Sequence, residues 1–442
     1  MLIQTSQDSY AKIKSIVEKH GCTTKNLCLE NCYLFDKQKF NNLLKLVPKV
    51  EAITLNQLSS TVGSKQQPMD QSVDHNLNHL RELTLIDCFP MEEILELIPA
   101  GVITSFTVDI KNMITLTEFF QKQTNIIRLS TSIKNNEIGF TQPYNHLQLQ
   151  HLQIQYCHSA SLPLLKNTIQ NQPDLYSLEL GNIGITDDIF RVICGLRKLR
   201  TLKLSLNNLS TGVFGEIYHL KNLTELTIDY CYNNEVMEYI KDFSFVTNNN
   251  LHFLDIMAKV STEDLLKIRK NNPNLQTIIM NVLGKLELND DLAKNFNKIK
   301  VLKIHATDVE IKEGNYEHLL HNPELKIFHL HFPIDFNIDM LNKMSTLIPN
   351  VEDLKLKPLQ HFTNEIFNEI LKLFPKLKRL TLFDCHKLTV SSVIKSIGKH
   401  GLNLEYIMIY RMNVQRRDIE YFVRTLCRPF VFESCGLQVK VK

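Results

Sequence analysis

The sequence predicts an α/β solenoid: a horseshoe of about sixteen strand–helix repeats, with parallel strands on the concave face and helices on the convex face. Three observations predict it. The phrase Leu199-x-x-Leu202-x-Leu204-x-x-Asn207-x-Leu209 returns in degraded form between Thr24 and Met412, at intervals of 21 to 30 residues. Pro48, Pro173, Pro273, Pro323, Pro349 and Pro375 all stand two residues before the first apolar position of a copy. Cys32, Cys88, Cys157, Cys231 and Cys385 all stand eight residues after it, where Asn207 stands in its own copy. A unit this short cannot bury an apolar face alone, whereas stacked copies share one continuous core.

The first apolar position of each copy serves as its anchor: Thr24, Val50, Leu80, Ile103, Thr124, Leu149, Leu175, Leu199, Leu223, Leu251, Leu275, Ile299, Leu325, Val351, Leu377 and Leu404. Residues three and five after an anchor are nearly all aliphatic, as in Leu83 and Leu85 or Leu354 and Leu356. That two-residue alternation is strand periodicity, and one strand per copy in a constant sense gives a parallel sheet. The rest of a copy has helical spacing. Phe362, Ile366, Phe367, Ile370, Leu371 and Phe374 fall on one helical face. Pro375 then stops the helix, since proline lacks the N–H and clashes with the turn before it.

Residues 1–20 read as a short N-terminal capping segment, an amphipathic helix through Tyr10, Ile13, Ile16 and Val17. Residues 21–442 read as one solenoid domain. Within it, 59–76 is expected to be a polar convex loop. Residues 428–442, with Phe430, Val431 and Phe432, are expected to cap the C-terminal end as a last strand.

An apolar fraction of 43% is that of a folded chain rather than a disordered one. With 50 basic against 47 acidic residues, the net charge of +3 gives no electrostatic case for nucleic acid. No apolar run reaches the roughly 20 residues that span a bilayer, and the N-terminus has no apolar signal core. No membrane partner is expected, and the expected compartment is cytoplasmic or nuclear. The periodic cysteines read as a structural ladder. A thiol is small enough to be buried where the chain leaves the strand, and it can donate weakly to stranded carbonyls. Their spacing of whole repeats is unlike the tight pairs of zinc sites, and reduced thiols suit an intracellular protein.

The phrase Leu377-Lys-Arg-Leu380-Thr-Leu382-Phe-Asp-Cys385-His-Lys-Leu388-Thr resembles repeats of F-box/leucine-rich-repeat proteins, as do Leu80 to Cys88 and Leu223 to Cys231. More broadly, the units resemble the cysteine-containing and ribonuclease-inhibitor-like leucine-rich repeats. The resemblance implies a leucine-rich-repeat solenoid that binds proteins on its strand face. In the F-box family it further implies substrate capture for a cullin-type ubiquitin ligase, with an N-terminal F-box docking an adaptor. Residues 1–20 do not read as the Leu-Pro start and helical body of an F-box, and the chain has no Trp. A truncated gene model, a box-less paralogue and a plain interaction protein all fit that departure.

Residues two, four and six after an anchor face the concave side, because side chains alternate along a strand. In the N-terminal half these are small or polar, such as Thr54, Asn56, Thr84, Thr107, Asp109, Gln153 and Gln155. Toward the C-terminus they become Lys303, His305, His329, His331, Lys355, Lys357, Arg379, Phe383, Tyr406, Met408 and Tyr410, with Arg411 at the edge. Interface centres are rich in aromatics, Met and Arg, so this strip is the expected protein-binding site, suited to an acidic or phosphorylated polypeptide. His305, His329 and His331 lie close enough to raise the question of a metal, but no Asp, Glu or Cys shares their phases in adjacent repeats. No metal, cofactor or catalytic residue is expected, and no GxGxxG, P-loop, GxSxG or HExxH motif occurs. The leading function is a non-enzymatic protein-binding scaffold, of the kind that recognises substrates in cullin-type ubiquitination. The alternative is a box-less regulator or inhibitor that wraps its target without a ubiquitin role.

Overall fold

The computed structural model describes residues 2–4, 10–32, 37–58, 77–88, 91–110, 114–133, 145–181, 183–205, 209–210, 213–229, 250–258, 262–288, 298–311, 322–334, 337–358, 362–412, 418, 430–434 and 437–441. The loop expected at 59–76 and the ladder positions Asn207 and Cys231 lie outside these residues. The chain divides into two compact units, 1–209 and 210–442. Among the described residues no helix is long and apolar enough to cross a membrane.

The first unit carries the strands β1 (Leu2–Gln4), β2 (Asn26–Glu30), β3 (Ala52–Asn56), β4 (Glu82–Ile86), β5 (Ser105–Ile110), β6 (Arg128–Ile133), β7 (His151–Ile154), β8 (Ser177–Leu180) and β9 (Thr201–Ser205). Each pairs in parallel with the next in sequence. The second unit carries β10 (Glu225–Asp229), β11 (Phe253–Ala258), β12 (Thr277–Leu288), β13 (Val301–Ile311), β14 (Ile327–Ile334), β15 (Asp353–Pro358), β16 (Arg379–Leu382), β17 (Tyr406–Ile409), β18 (Phe430–Ser434) and β19 (Leu437–Val441). All are parallel except the last pair, in which β19 folds back antiparallel on β18.

Residues three and five after each anchor form the core. Leu178, Leu180, Leu202 and Leu204 in the first unit, and Leu354, Leu356, Leu380 and Leu382 in the second, are all fully buried. Helices cover that face of the strands in each unit. The helix Asn364–Leu373 buries Ile366, Phe367, Ile370 and Leu371, starts where the Thr363 side chain accepts from the Ile366 N–H, and ends before Pro375.

Register holds at every expected anchor but one. Phe106 pairs with Leu129, and Leu129 with Leu152, so the sixth strand is read from Ile126, not Thr124. Ile126 is fully buried whereas Thr124 is exposed. Threonine at an exposed helix end was mistaken for the degenerate apolar position two residues on. Three further features differ from expectation. A strand, β1, precedes the N-terminal helix Tyr10–His20, which buries Ile13 and Val17. The C-terminal strand is the first arm of a hairpin. Finally, β12 and β13 run to 12 and 11 residues, continuing past a shift of register between Val282 and Lys285.

Two amide ladders tie the repeats together. Three residues before an anchor, Gln123 accepts from the Ile103 N–H at 3.1 Å and donates to Pro99, while Gln172 accepts from the Leu149 N–H at 2.8 Å. Asn322 at the same phase donates to the Ile299 carbonyl at 2.6 Å. Each reaches the anchor of the preceding repeat, or its vicinity, and each is almost fully buried. One residue before an anchor, Asn125, Asn250, Asn350 and Asn403 donate to the carbonyls of Gly101, Lys221, Pro323 and Pro375. These amides satisfy main-chain groups stranded where helix gives way to strand. Gln123→Leu keeps the volume but strands the Ile103 N–H. It is expected to cost about 1–3 kcal/mol by denaturant titration, and a midpoint equal to the parent's would remove Gln123 from the framework.

Candidate functional site

Where strand ends and inward turn begins, several repeats place a left-handed residue. Asn31, Gln57, Asp87, Asp384 and Arg411 have φ between 48° and 60°, and all lie seven residues after an anchor. The next residue then points into the core: Cys32, Leu58, Cys88, Cys385 and Met412 are at most 5% exposed, as is Cys157 at the same phase. The thiols of Cys32, Cys88 and Cys385 donate to the carbonyls of Glu30, Ile86 and Phe383, two residues back, at 3.3–3.4 Å. Burial pushes the Cys157 thiol up to about 11 and that of Cys385 up to about 12. Neither is a thiolate at neutral pH, so neither is a nucleophile. Their role is to satisfy strand-end carbonyls.

The sheet face opposite the helices carries the candidate site in the second unit. The aromatic rings six residues after their anchors form one row. His305 on β13 stacks on His331 of β14 with centroids 4.8 Å apart; His331 meets Phe383, just past β16, edge-on at 4.7 Å. Phe383 in turn stacks on Tyr410, just past β17, at 4.5 Å and 7°. The row passes over β15, beside which β14 bulges between Leu330 and Pro333, so that Lys357 lies opposite Pro333 instead of His331. Lys355 sits with its ammonium 5.0 Å above the Phe383 ring, a cation–π contact.

A second, more polar row runs beside it. His329 Nε2 lies 3.0 Å from the Asp353 carboxylate, and Arg379 Nε lies 3.7 Å from the other oxygen. The Arg379 guanidinium covers the Tyr406 ring at 4.8 Å, and the Tyr406 hydroxyl donates to Glu433 on β18 at 3.1 Å. At the rim, Arg411 pairs with Asp384 at 2.9 Å. Asp353 was missed by the sequence reading, which sought acids only at the phases of the histidines. It sits two residues earlier in its repeat and reaches His329 diagonally. Lys303 and Met408 complete the strip, half-buried and without described ring or ion-pair contacts. All eleven expected residues therefore lie on one face of one unit, most of them in touching rows. Among the described residues, no group of three or more His, Cys, Asp or Glu is placed to hold a metal ion.

The electrostatics are those of a crowded cationic surface. Burial lowers His305 to about 4, helped by the nearby His331, Lys355, His329 and Lys303. Burial also lowers His331, together with Lys355 and Lys357, and burial and Lys303 lower Lys355. Burial raises Tyr406, as does its bond to Glu433. His305 is thus neutral in the folded protein at pH 7 and protonates less readily than when unfolded. Its contribution to stability is present above its ordinary value of 6.5 and lost as pH falls toward about 4. Denaturation midpoints measured between pH 7 and pH 4 are expected to fall less steeply for His305→Gln than for the parent. Parallel curves would show that the stack carries no such penalty.

The face of the first unit has a different character. A hollow of about 310 Å³ over β5 to β8 is lined by Arg128, Ser130, His151, Gln153 and Glu179 among others. Ser130 donates to Gln153 at 2.7 Å, and Glu179 is paired with Lys203 at 2.9 Å. Sequence reading did not single out this hollow, since its residues are mixed in type and carry no repeated signature.

Parallel strands at repeat spacing, two aliphatic core residues per strand and an inward Cys or aliphatic residue at a fixed phase decide the architecture. The fold is that of a leucine-rich-repeat protein. No family model matches the chain. An F-box/LRR-repeat protein of Arabidopsis thaliana is 24% identical to it over 298 residues, covering 64% of this chain and 59% of that protein, so less than two thirds of the relative's length. Among solved structures, an internalin from Listeria monocytogenes aligns over 90% of this chain and 93% of its own, with TM-score 0.41 and 15% identity. The Rad7–Elc1 complex of yeast aligns over 92% of this leucine-rich-repeat chain and 91% of the other, with TM-score 0.38 and 16% identity.

Proposed function

We propose that the chain is a non-enzymatic protein-binding scaffold that docks a polypeptide on the strip from Lys303 to Tyr410, and that it serves substrate recognition in cullin-type ubiquitin ligation. The observation that carries the docking reading is the ring row His305–His331–Phe383–Tyr410, held together across the strands on the face that helices leave uncovered. Pre-stacked rings flanked by Arg379 and Lys355 offer rigid, half-buried contact area with little entropy left to lose. An acidic polypeptide suits the surplus of cations. The ubiquitin reading is supported by the likeness to an F-box/LRR-repeat protein. Affinity purification of the tagged chain, with mass spectrometry of what co-purifies, tests it. A cullin adaptor together with its cullin is the expected result. Stable partners with no ligase component would overturn the ubiquitin role and leave the regulator that wraps its target.

A further inference from the structure

Among the described residues, three lysines of the strip make no ion pair, although Asp353 lies close enough to act on Lys355. Elsewhere, several lysines of the concave face and its edge find carboxylates: Lys25 with Glu51 at 2.8 Å, Lys203 with Glu179 at 2.9 Å, and Lys326 and Lys378 with Glu352 at 3.3 and 2.8 Å. Lys303, Lys355 and Lys357 have no such pair among the described residues. Lys303 and Lys355 share a phase on β13 and β15, with His329 between them on β14. Strands about 4.8 Å apart put their Cα atoms roughly 10 Å apart, a gap that two four-carbon stems can close on one anion. Lys357 is two residues along from Lys355, hence on the same face. The groups facing the cluster are His305 on β13, His329 and His331 on β14, Asp353 on β15 and Arg379 on β16. Of the described carboxylates near the cluster, Asp353 is already engaged by His329 and Arg379, and Asp384, which acts on His331, is paired with Arg411.

We propose that Lys303, Lys355 and Lys357 form a subsite for the phosphate monoester of a phosphorylated serine or threonine in the polypeptide partner, seated beside the His305–His331 stack. This deepens the reading of the strip as a docking face and rests on it. Three ammonium groups match the three terminal oxygens of a phosphate dianion, whereas a carboxylate offers two oxygens and one charge. The histidine stack supplies the reporter. A dianion there favours the protonated imidazole, opposing the burial and the lysines that now keep His305 neutral.

The test uses the full chain with histidine-selective NMR, His305 and His331 being assigned through His305→Gln and His331→Gln. Inorganic phosphate, O-phosphoserine and glutamate are titrated at constant ionic strength. Saturable shifts of both imidazoles with phosphate and phosphoserine, absent with glutamate and lost in Lys303→Gln/Lys355→Gln, are expected. An equal response to glutamate, or an unchanged response in the double variant, overturns the subsite. A degenerate peptide mixture centred on phosphoserine should be retained at least about tenfold better than its Ser or Glu counterpart; equal retention overturns the phosphopeptide assignment. Tyr406→Ala/Tyr410→Ala should lose a polypeptide partner yet keep the phosphate response. A partner bound by the parent without any phosphate response would therefore overturn this subsite alone, and a phosphate response without a partner would overturn the docking reading alone.

Discussion

Leu202→Ala is expected to lower stability by about 2–5 kcal/mol, the range of buried Leu truncations that leave a cavity. Leu202 is fully buried on β9 and lies opposite Leu178 on β8, itself fully buried, so the lost methyls belong to a core that two repeats share. Because coupling in a solenoid runs between nearest neighbours, amide exchange should quicken in β8 as well as in β9. Lys203→Ala, one residue along, removes a half-exposed pair with Glu179 and no buried side chain. Exposed pairs are worth about 0–1 kcal/mol, so this neighbour is the control. Denaturant midpoints for the two variants, read beside exchange rates, separate core from surface. A Leu202→Ala melt indistinguishable from the parent's would contradict the register on which every other phase assignment depends.

Tyr406→Ala/Tyr410→Ala/Lys357→Glu is expected to weaken binding of the polypeptide partner by at least about 2 kcal/mol, roughly thirtyfold. Tyr410 ends the ring row by stacking on Phe383, and Tyr406 holds Arg379 on one side while donating to Glu433 on the other. Removing both rings frees Phe383 and Arg379 to move, so the surface loses preorganisation as well as area. The charge reversal at Lys357 adds repulsion toward an acidic partner. None of the three side chains lies in the core between sheet and helices, so the melting temperature should stay close to the parent's. Calorimetric titration with the co-purified partner measures the effect. Unchanged affinity would move the docking site elsewhere on the molecule.

The strip was legible because alternation along a strand is a rule about one residue at a time. Once Leu354 and Leu356 were inward, Lys355 and Lys357 had to be outward. What touches what across strands was not legible. The His331–Phe383 contact reaches across β15 beside a bulge in β14, and the His329–Asp353 bond joins residues that occupy different phases. Likewise Gln123 and Gln172 carry no local signal of being buried. Their amides matter only because the preceding repeat brings an unpaired N–H to them. Thr124 was misread as an anchor for the same reason: a degenerate position resembles its neighbours until the adjacent strand fixes the register.

The repeat, the strand of every copy but the sixth, and the inward and outward phases with their inward cysteines were readable from the chain alone, because periodicity and burial are properties of a chain read along its own length. The lengths of β12 and β13, the bulge, the hairpin of β18 and β19, and the order in which rings and charges meet became visible in the folded chain alone. Apart from the hairpin, whose two strands are neighbours in sequence, those depend on pairing between strands 20 or more residues apart, where one shift of register, as between Leu330 and Pro333, changes every neighbour beyond it.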